Sequence, residues 1–286
     1  MSKTVIRFSD FSFKYSGEKK SALRHISFNI DEGAFFCVIG SNGSGKSTLC
    51  NALVGLIPHH FKGKEGGKVE VLGKDVAKVS IGELSSDVGF VFQNPFNQLS
   101  YTASTVAEEL AFGLCNRGVP RDEMVEKVKQ IAHTIRLDGL LDRNPLELSG
   151  GQVQRVALGS TLVLEPKILV LDECTTQLDP LGSEEIFDIV KGLNAKGMTV
   201  VMADHDMERV SRCASQILSL EDGNMISVGT PREVFGNPEN EQHGIDVPDY
   251  VRITQRLSDE GLASGPIELT EEKTVERVKE ALGHAN

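Results

Sequence analysis

The feature that most constrains this chain is a glycine-rich segment, residues 40–48, which reads Gly-Ser-Asn-Gly-Ser-Gly-Lys-Ser-Thr. An apolar run typical of a buried strand, residues 35–39, precedes it, and the pattern of residues 49–54 predicts a helix after it. In this order of strand, loop and helix, the glycines let backbone N–H groups turn toward an anion, and the helix N-terminus adds positive potential. We therefore predict a phosphate-binding loop for a nucleoside polyphosphate, with the binding residues Asn42, Gly43, Ser44, Gly45, Lys46, Ser47 and Thr48.

Three side chains of this loop have separate predicted roles. Lys46 should reach the β- and γ-phosphates, the Ser47 hydroxyl should coordinate Mg²⁺, and Thr48 should support the phosphate end. The alternative is a glycine-rich turn with an accidental lysine. The flanking strand and helix favour the phosphate loop.

Two carboxylates end the most apolar run of the sequence, residues 168–171. Such a run is typical of a parallel strand covered on both faces, and the carboxyl ends of parallel strands carry the binding sites of α/β proteins. We predict that Asp172 holds Mg²⁺ through water and that Glu173 orients or deprotonates the attacking water. Paired acids at a strand end can otherwise serve only to cap a helix.

Three further residues become candidates only because the phosphate loop and the two acids are predicted beside them. Gln93 follows the apolar run 88–92 and precedes Pro95, which forces a turn, so its amide could contact both Mg²⁺ and the attacking water. His205 follows the apolar run 199–203 and could donate a hydrogen bond to a γ-phosphate, although alone it would be a surface histidine. Tyr15 ends an alternating segment, where it either stacks on a purine or packs in a sheet.

A second glycine pair lies in Leu-Ser-Gly-Gly-Gln, residues 148–152. Ser149 and Gln152 form a capping box ahead of an apolar helical pattern, so the segment could be a well-capped helix and no more. Glycines in a first turn cost up to about 1 kcal/mol each against alanine, but they leave the backbone N–H groups open to an anion. We predict nucleotide contacts from Ser149, Gly150, Gly151 and Gln152.

Composition limits the partners and the compartment. With 30 basic and 41 acidic residues among 286, the net charge of −11 argues against nucleic acid or anionic lipid as the main partner. Five scattered cysteines fit reduced thiols in a cytosol better than a disulfide framework. No apolar segment approaches the roughly 20 residues of a membrane span, and residues 1–4 do not open a signal peptide, so any work at a membrane is expected from its aqueous side.

Taken in order, the phosphate loop, Gln93, the 148–152 segment, Asp172 with Glu173, Leu178 with Asp179, and His205 resemble the nucleotide-binding subunits of ABC transporters, over most of residues 4–235. Residues 93–98, 105–114 and 229–235 are similar to the energy-coupling factor branch, whose members import vitamins and cobalt or nickel ions. Two positions depart from the pattern. Cys174 stands where the family usually has proline or alanine, and Phe96 where this branch often has an acid.

The resemblance implies an α/β fold with a P-loop NTPase core of the RecA-like type, an N-terminal antiparallel β-subdomain, a helical insert and a short C-terminal extension. The expected bounds are residues 1–92 and 151–235 for the core, 93–150 for the glutamine loop and helical subdomain with the signature segment, and 236–286 for the extension. An amphipathic helix marked by Val275, Val278 and Leu282 should serve packing or subunit contact there.

The resemblance also implies ATP and Mg²⁺ as cofactors and a head-to-tail pair of ATPase subunits, identical or different. Residues 149–152 of each subunit would close the phosphate loop of the other. A transmembrane coupling protein, docked on the helical insert, and a substrate-binding membrane component would complete an importer at the cytoplasmic face of the cell membrane, with no nucleic acid bound.

Two other functions remain open at this point. A soluble ABC-type ATPase acting on nucleic acid or ribosomes usually has two cassettes or a coiled-coil insert, and neither is evident here. A regulatory module that binds ATP without hydrolysing it would not need Glu173 and His205.

Overall fold

The computed structural model describes residues 3–243 and 245–284, so the ends of the predicted core and extension at 1–2 and 285–286 lie outside the described residues. The strands are β1 Thr4–Tyr15, β2 Leu23–Asp31, β3 Phe35–Ile39, β4 Gly63–Val71, β5 Lys74–Asp75, β6 Val88–Val91, β7 Ile168–Asp172, β8 Thr199–Ala203, β9 Gln216–Glu221 and β10 Asn224–Gly229. The α-helices are α1 Lys46–Leu53, α2 Leu56–His59, α3 Ile81–Leu84, α4 Val106–Asn116, α5 Arg121–Thr134, α6 Gly150–Leu162, α7 Pro180–Ala195, α8 Met207–Cys213, α9 Pro231–Phe235, α10 Pro238–Gln242, α11 Asp249–Asp259 and α12 Glu271–His284.

A six-stranded sheet in the order β10-β9-β3-β8-β7-β6 forms the centre of the molecule. Its strands are parallel except for β10, which pairs with β9 in the antiparallel sense. All five residues of β3, β7 and β8 are buried, because helices and a second sheet cover both faces. The predicted α/β fold is confirmed, and the carboxyl ends of β3, β7 and β8 meet at one edge.

The second sheet is antiparallel, in the order β2-β1-β4-β5. A row of rings joins it to the central sheet, since Phe28 stacks on Phe8 with centroids 4.7 Å apart and on Phe36 of β3 at 5.1 Å. Alternate residues of β3 therefore face two different cores, as the two-residue period of a strand requires. This double burial fixes the strand from which the phosphate loop leaves.

The helical insert packs on α6. Helix α4 begins with a capping box of Thr105 and Glu108, and Pro120 caps α5, whose Val128 and Ile131 are buried. Gly159 of α6 lets Ile135 and Leu110 approach, since a Cβ at that glycine would lie 2.4 Å from Ile135 Cδ1. The helix that begins at Ser149 is thus held by the insert.

Two predictions from the sequence need correction. Helix α1 begins at Lys46 and not at residue 49, because the loop already ends at Gly45, whose φ of 113° only glycine adopts readily. Helix α12 forms where predicted, but it packs through residues that include Thr274 and Ala281, whereas Val275 and Leu282 are 42% and 65% exposed. Of the two expected roles, packing therefore belongs to other residues of the helix, and subunit contact stays a prediction for Val275 and Leu282.

Within residues 3–243 and 245–284, none of the helices has both the length and the apolar character needed to cross a membrane.

Candidate active site

The glycine-rich loop leaves β3 and enters α1 at the edge of the central sheet. A Cβ at Gly40, whose φ is 145°, would lie 2.2 Å from the carbonyl oxygen of Leu220, so only glycine fits there. The loop borders a cavity of about 430 Å³ whose lining residues are Ala22, Asn42, Gly43, Gly45, Lys46, Ser47, Thr48, Gln93, Glu173, Thr176 and His205. Of the predicted loop residues, Ser44 does not line this cavity, because its buried hydroxyl lies against Gly40.

Lys46 and Glu173 form a buried ion pair in the cavity wall. Lys46 Nζ lies 3.0 Å from Glu173 Oε1, and the side chains are 4% and 12% exposed. The ammonium also donates to the carbonyl oxygens of Gly40 at 2.8 Å and Ser41 at 3.1 Å. Three acceptors thus hold the lysine at the mouth of the loop.

Ser47 and Asp172 form a second polar pair beside it. The Ser47 hydroxyl donates to Asp172 Oδ1 at 2.9 Å. Burial raises the pKa of Asp172, and the negative charge of Glu173 adds to this, while the Ser47 hydrogen bond and the Lys46 charge oppose it. A hydroxyl and a carboxylate at this distance are the oxygen donors that Mg²⁺ prefers.

Gln93 and Glu173 meet although 80 residues separate them in the chain. Gln93 Nε2 donates to Glu173 Oε2 at 3.1 Å. Glu173 itself has a left-handed backbone with φ of 47°, and its N–H donates to the carbonyl oxygen of Ala203. Both oxygens of the predicted catalytic carboxylate therefore have a partner, one cationic and one neutral.

His205 is positioned through its neighbour Asp204, which the sequence reasoning missed. The buried Asp204 carboxylate accepts from the backbone N–H of His205 at 2.7 Å and of Asp206 at 2.9 Å through Oδ1. Burial raises the pKa of Asp204, and these two hydrogen bonds oppose the rise. The His205 side chain is 54% exposed and borders the cavity. An aspartate directly after a buried strand was the available signal.

Tyr15 is packed in the first sheet and also touches the loop. Its ring meets Phe13 and Phe61 edge to face, with centroids 4.9 and 5.9 Å away. Its hydroxyl lies 3.2 Å from Thr48 Oγ1. Sheet packing, one of the two alternatives, is thus present, and a contact with a purine remains a prediction.

Two of the residues that line the cavity are not predicted from the sequence. Thr176 lies three residues after Glu173, so a small polar residue beyond the two acids was a usable signal. Ala22 enters from the segment before β2 in the other sheet, and no local pattern predicts that approach.

Residues 149–152 do not border this cavity. Ser149 caps α6, and its hydroxyl accepts from the Gln152 N–H while the Gln152 side chain accepts from the Ser149 N–H, as the capping box predicts. A Cβ at Gly150 or Gly151 would meet no atom within 4 Å. The start of α6 is therefore exposed and uncrowded.

Comparison with known proteins places these features in context. The family described as ABC transporter matches residues 23–176. A putative ABC transporter ATP-binding protein of Pyrococcus horikoshii is 41% identical over 277 residues, 96% of each chain. The energy-coupling factor transporter ATP-binding protein EcfA1 of Bacillus licheniformis is 39% identical over 274 residues, 95% of each chain.

Solved structures agree with the sequence matches. CbiO1 of Clostridium perfringens, described as part of the ABC transporter complex cbiONQ, has a TM-score of 0.73 and 30% identity over 90% of this chain and 99% of that one. A dimeric ATP-binding cassette in a post-hydrolysis state with ADP and phosphate has a TM-score of 0.68 and 28% identity, covering 79% of this chain and 99% of the other.

Proposed function

Because the chain belongs to the ABC transporter family, we propose that it hydrolyses ATP as an ATPase subunit of an importer of the energy-coupling factor type. The observation that carries this proposal is the convergence of Lys46, Gln93, Glu173 and His205 on one cavity at the carboxyl edge of the parallel sheet. These residues come from four separate segments, and each has a role in the transfer of a phosphoryl group to water. A vitamin or a transition-metal ion is the proposed cargo class.

ATP binding changes the partner of Lys46. Phosphate oxygens that enter the loop compete with Glu173 for the ammonium, and the first turn of α1 adds N–H donors. A carboxylate released from Lys46 is free to accept a proton from the attacking water, while Gln93 at its other oxygen orients that water. His205, which lines the same cavity, donates to the γ-phosphate.

Mg²⁺ fits the residues present, because Ser47 and Asp172 bring a hydroxyl and a carboxylate within 2.9 Å of each other, and Gln93 lines the same cavity as Ser47. We propose that Ser47, Asp172 and Gln93 hold the ion, with water between it and Asp172. When bound, it neutralises charge on the β- and γ-phosphates. The raised pKa of Asp172 means that protonation competes with the ion at a higher pH than for an ordinary aspartate.

A second ATPase subunit completes each site in this proposal. The cavity of one chain is bordered by its own loop on one side only, and the open start of α6 supplies N–H donors and positive potential for the exposed face of the γ-phosphate. Residues 149–152 of each subunit therefore act on the nucleotide of the other. The dimeric state of a related cassette with ADP and phosphate supports this arrangement.

Two other surfaces are proposed as interfaces, one with a membrane partner and one with the second ATPase subunit. An apolar groove of about 320 Å³ between the central sheet and the helical insert, bordered by Phe90, Phe92 and Phe112, suits a short helix of a transmembrane coupling protein. A substrate-binding membrane component completes the transporter, which places this chain at the cytoplasmic face of the membrane. The exposed Val275 and Leu282 of α12 are proposed to contact the second subunit.

The test combines copurification with a trans assay. Purified from detergent-solubilised membranes, the tagged chain should retain integral membrane proteins and hydrolyse ATP, and recovery with ribosomes alone would exclude the proposal. In a pair whose other subunit is unaltered, Ser149→Arg should abolish turnover at the phosphate loop of the unaltered subunit. Loss only at the altered subunit's own loop would refute the head-to-tail arrangement.

A further inference from the structure

The side chain of Gln98 links the end of β6 to α6, between Gln93 and the start of α6 that Ser149 caps. Its Oε1 accepts from the N–H of Phe92 at 3.4 Å, at the end of β6. Its Nε2 donates to the carbonyl oxygen of Ala157 at 2.7 Å and to Thr161 Oγ1 at 2.7 Å, both on α6. The two donors and the acceptor of one amide are thus all used.

Thr161 extends this link back to the sheet. Its hydroxyl lies 3.2 Å from the carbonyl oxygen of Phe90 and 3.1 Å from that of Ala157, so it can donate to either while accepting from Gln98. Thr161 and Ala157 are buried. Removal of the amide would leave the N–H of Phe92 without this acceptor and would take one donor from Ala157 and Thr161, and a polar group left without its partner costs more than the average hydrogen bond contributes.

On one side, a hydrogen-bonded turn connects Gln98 to Gln93. The intervening residues form a 3₁₀ turn, Pro95–Asn97, capped by Asn94, whose side chain accepts from the Phe96 N–H at 3.0 Å. The N–H of Gln98 donates to Pro95, which closes the turn. Movement at the Gln93–Glu173 contact therefore moves Gln98 as well.

On the other side, Gln98 is hydrogen-bonded to α6, the helix that Ser149 caps. Ala157 and Thr161 lie two to three turns into α6. Roughly 12 Å of continuous helix therefore separates Ala157, the first of these two partners, from the N-cap Ser149. A hydrogen-bonded helix transmits a rotation along this length with little internal change.

We propose that Gln98 is a positioning residue that couples the two nucleotide sites of an ATPase pair. This inference rests on the proposed head-to-tail arrangement, in which Gln93 serves the chain's own ATP and the start of α6 serves the partner's. The amide makes the position of Gln93 and the orientation of α6 interdependent, so the occupancy of one site sets the donors offered to the other.

The test isolates one site. All substitutions are placed in one tagged subunit of the purified transporter, and the other ATPase subunit stays unaltered. Glu173→Gln in the altered subunit silences its own loop, so the remaining hydrolysis occurs at the unaltered subunit's loop, which depends on the altered subunit's α6. Gln98→Leu is then added to the altered subunit.

We expect kcat at the remaining site to fall about fivefold or more, while its KM for ATP stays within about twofold, because no residue of that loop has changed. Thr161→Val should reproduce the loss and Thr161→Ser should not, since serine keeps the hydroxyl. The control is Asn97→Ala, at an exposed side chain on the same turn, which should leave turnover unchanged.

The outcomes are distinct. Unchanged turnover with folded Gln98→Leu and Thr161→Val variants, judged by thermal unfolding, would overturn the coupling role. If Gln98→Leu does not fold, the comparison of Thr161→Val with Thr161→Ser decides. Ser149→Arg in the altered subunit must abolish the remaining hydrolysis, and failure of that control would refute the head-to-tail arrangement and not the role of Gln98.

Discussion

The Lys46–Glu173 ion pair makes a quantitative prediction for Glu173→Gln. The Lys46 ammonium lies 3.0 Å from the carboxylate, and ATP must take it over when the γ-phosphate binds. A hydrogen bond to a charged group contributes about 1.5–3 kcal/mol, and a neutral one about 0.5–1.5 kcal/mol. The ammonium remains the donor, but the amide of glutamine lacks the full negative charge, so it competes for Lys46 less strongly by about 1–1.5 kcal/mol, the difference between these ranges, which is a Kd for ATP roughly 5–13-fold tighter.

The same substitution removes the proposed general base. Its loss should lower steady-state hydrolysis by about 10²–10⁴-fold, since glutamine cannot accept the proton of water. When neither subunit of the pair can hydrolyse ATP, tight ATP binding should hold the pair closed, whereas a pair with one unaltered subunit still hydrolyses ATP and reopens. Phosphate release measures the rate of hydrolysis, and titration with a fluorescent nucleotide measures the Kd for ATP. Size-exclusion chromatography with ATP measures the fraction of subunits in the closed pair.

Glu165→Gln is the matched control. Glu165 is a glutamate with a left-handed backbone, φ 55°, and a lysine partner, Lys127 at 2.7 Å, but it lies on the surface. Its substitution makes the same change in net charge and should alter neither the rate of hydrolysis nor the Kd for ATP. Hydrolysis by Glu173→Gln above about a tenth of the unaltered rate, or weaker ATP binding, would refute the reasoning from the ion pair.

Three other substitutions test separate parts of the chain. Tyr15→Ala should raise the KM for ATP about fivefold or more with kcat unchanged, while Tyr15→Phe keeps a stacking face and should stay near the unaltered value; equal values for both would exclude a purine contact. Burial raises the pKa of Asp204, so the ionised carboxylate lowers the stability of the fold above that pKa. Asp204→Asn should therefore raise the melting temperature at neutral pH, and this gain should shrink as the pH falls through the raised pKa. A gain in melting temperature that grows on acidification would contradict this. Gly159→Ala places a Cβ 2.4 Å from Ile135 Cδ1 and should cost about 1–3 kcal/mol in denaturant unfolding, whereas Gly192→Ala, with no atom within 4 Å, should cost nothing.

The parts of the fold that the sequence predicted correctly are those with a local cause. The phosphate loop follows from its glycines, β7 from a fully apolar run, and the start of α6 from the capping box at Ser149. Each depends on neighbours within a few residues, and a pattern of that length can be recognised without knowledge of the fold. The placement of Asp172 and Glu173 at the loop follows from the edge rule for parallel strands.

The parts that escaped prediction depend on contacts across the chain. The Lys46–Glu173 ion pair joins two residues for which the sequence predicts different roles. The hydrogen bonds from Gln98 to α6 join two elements about 60 residues apart in the chain. Val275 followed a helical period, but the period alone does not say whether an apolar face meets its own chain. Pairing over long separations is decided by the tertiary fold, which the period of one helix does not contain.

The position of β3 between β8 and β9 also has a consequence during synthesis. The strand that ends in the phosphate loop is complete at Ile39, but its two partners begin much later in the chain, at Thr199 and Gln216. At a translation rate of about 5–20 residues per second, the ribosome needs roughly 8–32 s to reach the first partner and roughly 9–35 s to reach the second. During that interval the nascent loop lacks the neighbours that hold its strand, so the emerging chain should acquire affinity for nucleotide late, close to the release of its last quarter.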